Sequence, residues 1–200
     1  MFLIVFFFEA CTSKMNQKRS VASELEITEV KPNQWTALSK KNMLRLAIEH
    51  NLEPYLYTKK INIESRVIPH SHPVLTLNTR NAEFSQKILS TWLHEEFHWW
   101  AEMNGESIEK AILDFRSIYP VLPQAGGGRS EYSTSLHLVV CFLEYKAVSQ
   151  YLGEGRAREI LQEFATVDEI YPWIYNQILN RTQEIGNVVK NRNLLPDGLK

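Results

Sequence analysis

The order of patterns along the chain predicts an α+β fold, with a small N-terminal β-sheet followed by a mainly helical domain. Before residue 80, Leu25-Glu-Ile-Thr-Glu-Val30 and Pro73-Val-Leu-Thr-Leu-Asn-Thr79 alternate apolar and polar residues, the period of half-buried strands. After residue 83, apolar residues recur at steps of three and four over long runs, the period of helices that pack on one side. A chain of 200 residues, 44% hydrophobic and 22% charged, is enough for one domain with a substantial core. That domain is expected over residues 24–190.

Met1 to Ala10 form an apolar block too short to span a bilayer, and the block has the character of the hydrophobic part of a secretory signal. With Ala10 before Cys11 and Thr12-Ser13-Lys14 after it, the segment resembles a bacterial lipoprotein signal, in which the cysteine becomes the lipidated first residue. Phe8, Glu9 and the lack of Lys or Arg ahead of the apolar run depart from that pattern. The resemblance implies export and membrane attachment through a lipid on Cys11, as an envelope protein; without a working signal the chain would be cytoplasmic. Residues 11–23 are polar and small, which suits a flexible tether. The net charge of −1 speaks against nucleic acid as a partner, because such binders carry a basic surplus.

The elements follow in order. The strand at Leu25–Val30 is ended by Pro32. Ser39 is expected to cap a helix from Lys40 to His50, with His50 at its C-terminal dipole position and Pro54 closing it. Tyr55-Leu-Tyr57 and Ile61-Asn-Ile63 read as β segments. Val74–Thr79 is placed either as an edge strand that pairs with a substrate backbone or as an interior strand. His70 and His72 flank it in a Pro-rich turn. A helix is expected from Phe84 to Asn104, where Asn104-Gly105 suits a stop, and another from Ser107 to Ile118. Gly126-Gly-Gly128 reads as a connector or an active-site rim. Long helices are expected at Ser133–Leu152, Arg156–Ala165 and Val167–Lys190, followed by a tail over 191–200.

The chemistry is concentrated in Leu89-Ser-Thr-Trp-Leu-His-Glu-Glu-Phe-His-Trp-Trp100, which carries His94, Glu95 and His98 as H-E-x-x-H. On a helix, positions four apart share a face, so both imidazoles can grip one Zn²⁺ while Glu95 reaches a water beside it as general base. Two histidines and a glutamate among large apolar residues would otherwise leave three polar groups to satisfy in the interior. Glu96 is expected to support the site or face solvent, and Trp99-Trp100 to pack or to line an apolar subsite.

A catalytic zinc needs a third protein ligand. His137, Cys141 and Glu144 fall on one face of the Ser133–Leu152 helix. Glu144 is the expected ligand, because a buried carboxylate among Val140, Phe142 and Leu143 is costly without a partner. His137 is the alternative ligand or an oxyanion-stabilising catalytic residue, and Glu131 is a further alternative. Cys11 and Cys141 are too few and too far apart for a cysteine-based zinc site, and Cys141 reads as a core thiol. The fragment Glu144-Tyr-Lys-Ala147 resembles the E-x-x-A segment that supplies the glutamate ligand in gluzincin peptidases. With His94, Glu95 and His98, that resemblance implies a zincin-like zinc metallopeptidase acting on a peptide or protein substrate. Val148 departs from it, since a carboxylate often stands there in support of a metal-bound histidine. The metzincin extension is absent, because Gly105 is misplaced and no histidine follows.

Two rival functions share these residues. One is a catalytically inactive zinc-binding or partner-binding protein on the same scaffold. The other, a di-iron carboxylate site, is disfavoured because the chain has no second E-x-x-H.

Overall fold

In a computed structural model of the chain, which describes residues 22–123, 125–168 and 170–200, the alternating segments form a single three-stranded sheet. The fold is mixed and mostly helical with one small sheet, which is compatible with the α+β class. The apolar N-terminal block, Cys11 and most of the expected tether lie outside the described residues. The chain divides into two compact units, one up to Leu89 and one from Ser90.

In the first unit, β1 (Glu26–Glu29), β2 (Lys60–Ile63) and β3 (Leu75–Leu77) lie in the order β1-β2-β3, and both pairs are parallel. Ile27 pairs with Ile61, and Ile61 with Leu75, so apolar residues stack across the sheet. Parallel neighbours need a crossover, and helix α1 (Gln34–Glu49) provides it between β1 and β2. Helix α1 starts earlier than the expected Lys40 because Asn33 caps it. The Asn33 side chain accepts from the N–H groups of Trp35 and Thr36 at 2.9 and 3.2 Å, and Thr36 Oγ1 accepts the Asn33 N–H at 2.9 Å. This reciprocal pair satisfies donors that would otherwise be orphaned, and it leaves Ser39 inside the helix, buried.

Tyr55 is not in a strand. Pro54 opens a 3₁₀ turn, Glu53–Tyr55, whose buried Tyr55 ring anchors it. Strand β3 ends the sheet, but its outer side is engaged. The Thr76 N–H donates to His70 O at 2.8 Å, and the His70 N–H donates to Thr76 O at 3.0 Å. The strand position expected to receive a substrate backbone is therefore closed at its centre by the chain itself.

The second unit is helical. Helix α2 (Ser85–Met103) matches the expected span to within a residue at each end, and the division between the units falls inside it. Asn104 then serves as a one-residue joint, and Gly105 opens α3 (Gly105–Ile118) rather than ending a helix. Helix α4 (Glu131–Leu152) is the centre of the unit, capped by Ser130, whose side chain accepts the Ser133 N–H. Consecutive residues from His137 to Tyr145 are buried on every side of it, as only a central helix can be. It packs against α3, α5 (Glu154–Val167), α6 (Pro172–Asn180) and α7 (Thr182–Asn191).

The last three of these correct an expectation. Helix α5 runs on to Val167, and the single helix expected over Val167–Lys190 is divided twice, between the cap residues Asp168 and Tyr171 and at Arg181. Pro172 cannot sit inside a helix and turns Tyr171 away from helical geometry, yet suits the first turn of α6. Asp168 stabilises the break by accepting the N–H groups of Ile170 and Tyr171 at 2.6 and 3.4 Å.

Helix α7 approaches α4 closely at Gly186, where a Cβ would stand 2.9 Å from Phe142 Cζ. Gly186→Val is expected to destabilise the chain by about 1–3 kcal/mol through overpacking, read as a lower urea midpoint; an unchanged midpoint would contradict the close approach. Part of the expected tail is tied down. Leu194 is fully buried, and its carbonyl accepts the Trp100 indole N–H at 3.0 Å. Among the described residues no helix is long and apolar enough to cross a membrane.

Candidate metal centre

Helix α2 places His94 and His98 one turn apart, and their ring centroids lie 5.1 Å from each other. From α4, the His137 ring comes to 5.6 Å from His94 and 4.8 Å from His98. One ligand nitrogen from each of the three lies within 4.8 Å of the other two. Metal–N bonds of about 2.0–2.1 Å in a tetrahedron require N···N separations of roughly 3.4 Å, so the three nitrogens would draw together by up to about 1.4 Å to share one ion. His94 and His137 are buried and His98 is half-buried, which makes His98 the most accessible of the three.

The hydrogen bonds decide which nitrogens face the centre. His137 Nδ1 donates to Ser133 O at 2.6 Å, leaving the Nε2 lone pair for a metal. Burial pushes the proton affinity of His137 down to about 3, with the neighbouring His94 adding to the effect, so this ring is neutral and able to ligate. His94 Nδ1 donates to Glu144 Oε2 at 2.9 Å, again leaving Nε2. Burial opposes charge on His94, but the Cys141 sulfur and the Glu144 carboxylate at Nδ1 outweigh it and raise the proton affinity of the ring.

Glu144 is therefore not placed with His98 and His137. It is fully buried behind His94, with Oε1 accepting the Ser90 hydroxyl at 2.5 Å. Cys141 is fully buried as well, with Sγ 3.8 Å from His94 Nδ1, so that His94, Cys141 and Glu144 form a second group of potential ligands. Burial lifts the Cys141 thiol to about 11, which keeps it neutral and a poor ligand at neutral pH. The first group, with three imidazoles converging, fits a metal ion better than the second, whose closest pair is already a hydrogen bond.

Glu95 is buried, and its charge is felt by the phenol of Tyr171. Glu96 is fully buried and accepts the Trp92 indole N–H at 3.1 Å, which assigns it to packing within α2. Glu131 is exposed, 3.9 Å from Arg116, and belongs to neither group. His70 and His72 lie in the first unit, where His70 Nδ1 donates to Ile68 O and His72 Nδ1 meets Ser71 Oγ. They too belong to neither group.

Tyr171 is a site residue that the sequence pattern concealed. Its ring stacks on His137 with centroids 4.1 Å apart and lies 6.0 Å from His94. Burial pushes its phenol up to about 12, so it stays a hydrogen-bond donor. The available signal was Asp168 four residues ahead of Pro172, a turn signature set inside an otherwise apolar periodicity. The glycine run braces this turn. Gly126, at φ +78, accepts the Trp173 N–H at 2.9 Å through its carbonyl, and a Cβ on Gly127 would stand 2.8 Å from Pro123 Cγ.

Comparison of the chain with protein-family models, with curated proteins and with solved structures gave no match.

Proposed function

We propose that the chain is a zinc-dependent, zincin-like metallopeptidase in which His94, His98 and His137 hold the metal and Glu95 is the general base. The observation that carries this reading is the convergence of His137, from a separate helix, on the two histidines of the H-E-x-x-H motif. A Zn²⁺ ion in that position supplies Lewis acidity toward the scissile carbonyl and brings the pKa of a water to about 7.

The rest is the work of the chain's own side chains. Glu95, next to the first ligand on α2, takes the proton of the attacking water and returns it to the departing amine. Tyr171 keeps its phenolic proton and donates a hydrogen bond to the carbonyl oxygen as negative charge develops there. The buried surroundings of His94 and Glu95 strengthen both interactions by excluding water. The choice of a peptide as substrate rests on the likeness of the motif to that of zinc peptidases.

The test is the zinc content of the purified chain together with cleavage of an unfolded protein such as reduced casein. About one zinc per chain and cleavage that stops with 1,10-phenanthroline are expected. Zinc without cleavage would leave an inactive metal-binding protein on this scaffold, and a chain that takes up no zinc would remove the reading altogether.

A further inference from the structure

Glu144 has no exposed surface and stands apart from the three converging nitrogens, so the mechanism above leaves a buried carboxylate without a task. We propose that Ser90 and Glu144 form a hydrogen-bonded relay that holds His94 with its Nε2 toward the metal, making both of them positioning residues of the centre. The inference rests on the three-histidine reading and deepens it.

The geometry is specific. Ser90 lies four residues before His94 on α2 and therefore on the same face, and its side chain is fully buried. Glu144 reaches across from α4, taking the Ser90 hydroxyl on Oε1 at 2.5 Å and the His94 Nδ1–H on Oε2 at 2.9 Å. A neutral imidazole carries one hydrogen and one lone pair, so a carboxylate that claims the hydrogen on Nδ1 fixes the lone pair on Nε2. The same bond makes the ring more basic and a stronger ligand.

Ser90 adds a second constraint. Held only by His94, the carboxylate could rotate about its own axis and loosen its hold on the Nδ1 hydrogen. With Oε1 tied to the Ser90 hydroxyl, that rotation is checked and Oε2 stays on the His94 Nδ1–H.

The experiment measures Zn²⁺ affinity of the full chain by competition with a chromophoric chelator, and counts imidazole ligands by zinc X-ray absorption, for wild type, Glu144→Gln and Ser90→Ala. Wild type is expected to show three imidazoles. Glu144→Gln should keep all three while affinity falls about 10–100-fold, the usual effect of losing such a partner. Ser90→Ala should keep the three imidazoles and weaken binding by a smaller factor while the melting temperature of the metal-free chain stays at its wild-type value, a split that a purely structural role would not produce. If Glu144→Gln does not fold, the milder Ser90→Ala decides. Wild-type affinity and spectrum in both variants would overturn the relay while leaving the three-histidine site standing. Two imidazoles and a carboxylate in wild type, or no zinc bound at all, would overturn the three-histidine reading itself.

Discussion

Glu95→Gln is expected to lower kcat/KM for peptide hydrolysis by about 10²–10⁴-fold while zinc remains bound. The amide has nearly the shape of the carboxylate but cannot accept a proton, so the change removes the base and little else. Glu95 stands beside His94 on α2, is buried, and acts electrostatically on Tyr171, which places it toward the centre without belonging to either group of potential ligands. Zinc content and affinity should match those of wild type within a few fold. Turnover in the variant within about threefold of wild type would remove Glu95 from the mechanism.

His137→Ala should weaken zinc binding by on the order of a hundredfold or more, since a ligand accounts for several kcal/mol of the total binding free energy. Peptidase activity should disappear with the metal. This variant separates the two candidates for the third ligand, because a site built from His94, His98 and Glu144 would keep its zinc when His137 is lost. Thermal unfolding of the metal-free variant guards against a trivial loss of fold. The substitution also removes the ring on which Tyr171 stacks, so a modest fall in the metal-free melting temperature is expected alongside. Zinc affinity unchanged in His137→Ala would return Glu144 to the coordination sphere.

The first two histidines of the centre could be read from the chain because the helical period alone puts residues four apart on one face. The third partner could not. His137, Cys141 and Glu144 share a stripe about 10 Å long on α4, and any of them satisfies the pattern. Which one meets the motif is decided by how α4 lies along the His94 ring. Cys141 and Glu144 arrive at Nδ1, while His137 comes in on the side shared with His98. The stripe was legible, and its division between two nitrogens of one imidazole was not.

Similar limits applied to the fold. Alternation located β1, β2 and β3, but Asn33 and Thr36 displaced Ser39 as the start of α1 because two reciprocal side-chain bonds outweigh one. Apolar residues at Ile170, Trp173, Ile174 and Ile178 kept step across a break, so periodicity implied one helix where Pro172 required two. That break is what presents Tyr171.

The bond pair between His70 and Thr76 gives β3 a guarded flank. Any visiting strand, whether a ligand or another copy of the chain, must first peel the His70 segment away and give up two backbone hydrogen bonds before gaining its own. The β3 flank is thereby shielded from the strand-by-strand self-association to which bare flanks are prone.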